Sequence, residues 1–70
     1  MTKYLVIIEQ SNTGYGAYVP DLPGCIATGP TKEEVEERIY EAIQFHIEGL
    51  KEDGLEIPKP KTESELMIFH

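Results

Sequence analysis

The longest helical pattern in this 70-residue sequence is Thr31–Gly54, which reads TKEEVEERIYEAIQFHIEGLKEDG, and the other elements are arranged around it. Thr31 is a favourable N-cap residue, and Glu34 three positions later completes the sequence pattern of a capping box. One face of the helix is apolar, at Val35, Ile39, Ala42, Ile43, His46 and Leu50. Gly54 suits a left-handed C-terminal cap. The pattern predicts one helix from roughly Lys32 to Glu52, with a single face buried against a second layer.

Three short strands are predicted before this helix. Tyr4–Glu9 is rich in β-branched and aromatic residues, and its apolar residues occupy both parities, which indicates a strand that is central or covered on both faces. Residues 11–14 (SNTG) have turn chemistry, so Tyr15–Val19 is predicted to return as the second strand of a hairpin. Pro20–Gly24 cannot continue a central strand, because its two prolines lack N–H donors. Cys25–Thr28 is predicted as the third strand.

After the helix, two prolines mark an extended linker, and an apolar tail follows. The tail, Glu65–Phe69, contains four consecutive apolar residues, which are expected either to form a last strand against the sheet or to contact another subunit. The predicted order is therefore β-β-β-α-β: a three-stranded antiparallel sheet, one long helix and a short C-terminal strand. We predict a single α+β domain over residues 1–70, with a core over about residues 3–57 and with linker and last strand at 58–70.

Composition restricts the function classes. A domain of 70 residues buries a small share of its surface, and its one cysteine excludes an intrachain disulfide, so self-association is the expected source of further burial. The formal net charge of −7 disfavours nucleic-acid binding and favours a basic partner. The apolar run at residues 4–8 is too short for a signal-peptide core or a membrane span. With its single thiol, the chain is expected to be soluble and cytoplasmic.

No pattern of catalytic, cofactor-binding or metal-binding residues stands out. His46 lies within the apolar helix face, where a half-buried structural histidine is the favoured interpretation over a general base or ligand. Cys25 begins an apolar segment and is interpreted as a buried hydrophobe rather than a nucleophile. The helix carboxylates are interpreted as a solvated face, because helical spacing alone does not converge several oxygens on a metal ion. The chain is therefore not expected to be an enzyme.

Tyrosines and acidic residues are the better candidates for protein binding. Tyr18 and Tyr40 both fall off the faces assigned to the core, and exposed tyrosines are enriched at interfaces. Asp21 lies between two prolines in a rigid loop. It either caps a nearby backbone N–H or meets a cation on a partner, and the sequence does not decide between the two.

These segments together resemble the HicB-like antitoxin family. The resemblance covers about residues 4–60, and its most specific part is residues 20–25, Pro-Asp-Leu-Pro-Gly-Cys. The other matching segments, in order, are residues 4–9 (YLVIIE), 14–19 (GYGAYV), 29–34 (GPTKEE), 52–54 (EDG) and 57–60 (IPKP).

The resemblance implies a fold like a reduced ribonuclease H domain and an antitoxin function. The likeness to ribonuclease H does not imply nuclease activity, because a fold does not fix a function. Family members bind a small, basic, RNA-cleaving HicA toxin and block its active surface, and many form dimers or tetramers. For this chain we expect a HicA-like partner and a homo-dimer or tetramer. The expected partner-binding residues are Tyr18, Asp21, Leu22, Glu37, Tyr40 and Glu41.

Two other functions are kept open at this point. One is a stand-alone oligomeric structural or ligand-binding module of the same fold, and the other is a metal-dependent nuclease. Many family members also carry a C-terminal DNA-binding segment. Ten residues follow Pro60, too few for such a module, so we expect no separate DNA-binding domain and no direct nucleic-acid binding by this chain alone.

Overall fold

The computed structural model describes residues 2–70 and confirms the predicted helix. Helix α1 spans Lys32–Glu52. The Thr31 side chain accepts a hydrogen bond from the Glu34 backbone N–H at 3.2 Å, whereas the Glu34 carboxylate faces Arg38 at 3.8 Å. At the other end Gly54 has φ +68°, and Leu55 N–H donates to the Leu50 carbonyl at 2.9 Å, as in a Schellman motif. Local sequence signals therefore define both helix ends.

Three antiparallel strands form one sheet in the order β1-β2-β3, which confirms the α+β fold. Strand β1 spans Ile7–Ser11, β2 spans Gly14–Tyr18 and β3 spans Ile26–Gly29. In the β1–β2 hairpin Ser11 pairs with Gly14. A Cβ atom on Gly14, which has φ +150°, would lie 2.6 Å from the Gly29 carbonyl oxygen, so the hairpin packs closely against the end of β3.

The first strand begins later than predicted. The sequence pattern placed it at Tyr4–Glu9, but the pairing with β2 begins at Ile7 and continues through Ser11. The reason lies in the opposite segment, because Pro20, two residues after Tyr18, has no N–H to donate to β1. Residues 4–6 therefore lie beyond the end of the ladder.

The helix covers one face of the sheet and leaves the other face open. One row of paired residues, Ile8, Ala17 and Ala27, belongs to the core or packs against it. The adjacent row, Ile7, Tyr18 and Ile26, must point to the opposite face, because side chains alternate along a strand. Tyr18 and Ile26 are exposed there. The buried apolar core is small and consists of Ala17, Val19, Leu22, Cys25, Val35 and Ile39.

The structure does not contain the predicted C-terminal strand. Residues 55–70 have no helix or strand, and the four apolar side chains from Leu66 to Phe69 are exposed. The chain is fixed at Lys61 and Thr62 and then leaves the body of the domain. The radius of gyration is accordingly 13.6 Å, whereas general size scaling gives about 11 Å for a compact domain of this length.

Across residues 2–70 we find no helix with the length and apolar character that crossing a bilayer requires.

Candidate functional site

The six residues expected to bind a partner do not form one site. Leu22 and Asp21 are buried, so they cannot offer their side chains to a partner. Tyr18 is exposed on the open face of the sheet. The other three, Glu37, Tyr40 and Glu41, are exposed on α1, which covers the opposite face.

Leu22 is a core residue, which corrects the expectation that it binds a partner. Its side chain is fully buried. Two successive turns place it there: Leu22 N–H donates to the Val19 carbonyl, and Cys25 N–H donates to the Leu22 carbonyl, both at 3.1 Å. Pro23 and Gly24, which has φ +84°, occupy the central positions that a type II turn requires. The loop therefore aims Leu22 inward as an anchor for the whole segment.

Asp21 also has a structural role, so the first of its two interpretations applies. One carboxylate oxygen accepts hydrogen bonds from the Lys61 and Thr62 backbone N–H groups, each at 3.0 Å, and the other accepts from the Thr62 hydroxyl at 2.7 Å. Nearby, the Tyr4 hydroxyl donates to the Pro58 carbonyl. These contacts fasten residues 58–62 to the body of the domain.

The Asp21 contacts predict a pH-dependent release of the tail. Hydrogen bonds from the Thr62 side chain and from the Lys61 and Thr62 amides hold the pKa of Asp21 below its ordinary value of 3.8, although burial opposes this shift. A depressed pKa in the folded state means that the stabilisation is present above pH 3.8 and is lost as the pH falls through the folded pKa. We expect the Lys61 and Thr62 amide resonances to move towards random-coil positions in that range.

The control for this release is Asp21→Asn, which keeps the shape of the side chain and removes its charge. We expect the two amides to be partly released in this variant at neutral pH and to show no further change as acid is added. Amide resonances that titrate alike in the parent and in Asp21→Asn would show that another group fastens the tail.

The outer face of α1 is the part of the molecule best suited to a basic partner. The helix has seven glutamates against three cations, which leaves a charge of −4 out of −7 for the chain. Within residues 2–70 the only ion pair is Glu34–Arg38, so the remaining helix carboxylates face solvent without an intrachain cation. Two exposed aromatic side chains flank them. We define the acidic helix face as Glu37, Tyr40, Glu41, Phe45 and Glu48.

Phe45 is the member of this face that the sequence reasoning missed. Its side chain is 80% exposed, which is unusual for a large aromatic residue. The sequence could have indicated its exposure, because Phe45 is four residues after Glu41 and three before Glu48 and therefore lies on the polar side of the helix. Large exposed aromatics beside charges are typical of protein interfaces.

An apolar groove lies between β1 and α1. It has a volume of about 190 Å³ and is lined by Val6, Ile8, Glu36, Ile39, Tyr40 and Ile43. Glu36 and Tyr40 are exposed, while Ile39 at its base is buried. The groove runs beside the outer edge of β1, which no other strand in the described chain occupies.

The remaining candidate residues have ordinary environments. Cys25 is buried, and burial raises the pKa of its thiol, so it has the properties of a core residue. His46 is half-buried on the apolar side of the helix. Residues 2–70 contain no cluster of three or more His, Cys, Asp or Glu side chains that could hold a metal ion.

Several known proteins are similar in sequence to this chain over part or most of their length. A protein of Haemophilus phage HP1, known only as an uncharacterized 14.9 kDa protein, is 50% identical over 56 residues. Those residues are 80% of this chain but 42% of the phage protein, so the chain spans less than half of that relative. A UPF0150 protein of Thermoplasma acidophilum is 45% identical over 62 residues, which cover 87% of this chain and 90% of that protein.

A solved structure and a family model indicate the same protein family. The chain superimposes on a chain of a complex described as the HicA3 and HicB3 toxin-antitoxin complex, with a TM-score of 0.71 and 32% identity, covering 86% of this chain and 70% of that one. The model of the HicB-like antitoxins of bacterial toxin-antitoxin systems matches residues 4–68. This protein therefore belongs to the HicB-like antitoxin family.

Proposed function

We propose that this chain is the antitoxin of a type II toxin-antitoxin system and that it neutralises a small, basic, RNA-cleaving toxin of the HicA type by binding its active surface. The observation that carries the proposal is the likeness to a chain of the HicA3–HicB3 complex, at 32% identity over most of the domain. The family match over residues 4–68 supports the same function. In this proposal the chain acts by occupying a surface and not by catalysis.

The charge distribution supports a basic partner. A protein that grips RNA needs cationic side chains, and an inhibitor that covers them must offer carboxylates. The acidic helix face offers Glu37, Glu41 and Glu48, which form no ion pair within residues 2–70, together with two aromatic side chains that can pack against a partner. Complementary charge also speeds association, and the effect weakens with salt.

A stand-alone ligand-binding module has less support. The apolar groove beside β1 has a volume of about 190 Å³, whereas small-molecule sites usually occupy about 300–1,000 Å³. Glu36 and the Tyr40 hydroxyl are the polar groups of its lining, and the other lining residues are aliphatic. Its size and lining suit apolar side chains better than a metabolite.

Co-expression with the small open reading frame beside its gene tests the proposal. We expect the neighbouring protein to stop growth alone, growth to recover when this chain is present, and the two proteins to elute together in size-exclusion chromatography. We also expect the complex to dissociate more readily as salt is raised, because it joins opposite charges. A non-toxic neighbour, or growth rescue without a physical complex, would overturn the proposal.

A further inference from the structure

The chain that enters β1, residues 5–8, has the sequence of an inner strand but lies at the edge of the sheet. Its segment is apolar on both faces: Val6 and Ile8 pack against the core, and Leu5 and Ile7 are half-buried on the opposite side. Within residues 2–70, however, β1 pairs only with β2. A free edge with apolar residues on both faces is a site for adding another strand. The composition of residues 5–8, rather than of the polar end of β1 at Glu9–Ser11, therefore indicates a missing neighbour.

The apolar tail has the matching composition. Leu66, Met67, Ile68 and Phe69 are 98%, 71%, 86% and 88% exposed. In an extended conformation Leu66 and Ile68 point one way, and Met67 and Phe69 the other. Both faces of such a strand are apolar, as are both faces of residues 5–8. A strand formed by this tail would thus place two side chains in the groove and two beside Leu5 and Ile7.

We propose that two copies of this chain associate by exchanging their tails. Residues 65–69 of each copy pair as a strand with the free edge of residues 4–8, at the start of β1, in the other copy, and one pair of apolar tail side chains fills the groove between this segment and α1. The exchange is reciprocal, so the interface has twofold symmetry and leaves neither edge unpaired.

The direction of the tail favours the second copy as the occupant. Asp21 fixes the tail at Thr62, and beyond that point the four apolar tail side chains are exposed and not packed on their own domain. No tail residue lines the chain's own groove, so the groove is free to receive the partner's tail.

The area involved is sufficient for a stable dimer. Four apolar side chains expose on the order of 500 Å² per tail, so two tails offer at most about 1,000 Å² of apolar surface, and the surfaces that they cover at most roughly double that value. This falls within the roughly 1,200–2,000 Å² that specific interfaces bury. A 70-residue domain with only six buried apolar side chains gains substantially from this additional burial.

Electrostatics give the dimer a distinctive salt dependence. Each copy has a net charge of −7, so the association brings like charges together. Association between the copies therefore strengthens as salt is raised. The proposed toxin complex has the opposite dependence, so failure of one proposal can be told apart from failure of the other.

The first experiment measures the mass of the full chain by size exclusion with light scattering. We expect a dimer for the parent and monomers for Ile68→Asp and for Tyr40→Asp, which changes the groove rim. Phe45→Asp is the matched control, because it places the same charge on an exposed aromatic position of α1 outside the groove. A monomeric parent, or loss of the dimer in the control alone, would overturn the proposal.

The second experiment decides whose tail fills the groove. Chains with Tyr40→Cys are mixed with chains that have either Met67→Cys or Ile68→Cys, and a short bis-maleimide links thiols that lie close together. Cys25 is buried and does not compete. We expect linked dimers in at least one mixture. The comparison is a single chain that has Tyr40→Cys together with one of the two tail cysteines. If only this chain is linked, and it stays monomeric, each tail fills its own groove and the exchange is wrong.

Discussion

Replacing Leu22 with alanine is expected to remove most of the stability of the domain. The Leu22 side chain is fully buried, and it joins the loop of residues 19–25 to the core under α1. Loss of a buried leucine side chain costs about 3–5 kcal/mol, because the apolar transfer energy is lost and a cavity remains. The total stability of a domain this small is about 4–10 kcal/mol at 0.05–0.15 kcal/mol per residue. Urea denaturation followed by circular dichroism measures the loss.

Two further variants make this expectation specific. Leu55→Ala is the same change at a residue that is 58% exposed, and it should alter stability by less than about 0.5 kcal/mol. Leu22→Met, which nearly conserves volume, should cost less than about 1.5 kcal/mol and keep the protein folded. Reaction of the buried Cys25 thiol with a labelling reagent gives a second readout, because it requires local opening. An equal loss in Leu22→Ala and Leu55→Ala would contradict the assignment of Leu22 to the core.

Elements that depend on local interactions were predictable from sequence. The helix ends follow from Thr31 and Gly54, which act within one turn of their own positions. The β1–β2 hairpin follows from the turn residues between two β-prone segments. The start of β1 was misplaced because it depends on Pro20, which belongs to a different segment and has no N–H to pair with residues before Ile7. Strand limits are decided by the partner strand, and a single sequence contains little information about it.

The candidate surface was predictable only in part. Sequence reasoning selected three helix residues because they lie outside the apolar face of the helix, and all three are exposed: Glu37, Tyr40 and Glu41. Leu22 and Asp21 were misassigned because two consecutive turns set the direction of their side chains. The Asp21 contacts with Lys61 and Thr62 join residues forty positions apart, which no local pattern indicates. Side chains of an irregular loop therefore need the structure before a role can be assigned.

The difference between local patterns and long-range contacts also explains why the position of the tail was not predicted. Its four apolar residues indicate burial, and sequence reasoning allowed either the chain's own sheet or another subunit. The structure leaves these residues exposed beside a domain whose β1 edge is free. Hydrophobicity thus predicts that a segment is covered, but the covering surface depends on how the rest of the chain folds.

Reversing three charges on the acidic helix face is expected to weaken toxin binding on the order of a hundredfold. The variant combines Glu37→Lys, Glu41→Lys and Glu48→Lys, all at exposed helix positions where lysine is a good helix former. Each reversal removes an attraction to a basic partner and introduces a repulsion. Together they cost about 2–4 kcal/mol of binding free energy, even with solvent screening. Titration calorimetry with the purified neighbouring toxin measures the change.

The matched control separates a local surface effect from an effect of overall charge. Glu9→Lys, Glu56→Lys and Glu63→Lys also reverse three exposed carboxylates, and in both triple variants the net charge changes from −7 to −1. The control should slow association and reduce the salt dependence, because long-range steering depends on total charge. It should leave most of the affinity in place, because its carboxylates lie outside the acidic helix face. Equal losses in both variants would mean that the toxin responds to net charge alone, and a larger loss in the control would place the binding surface elsewhere.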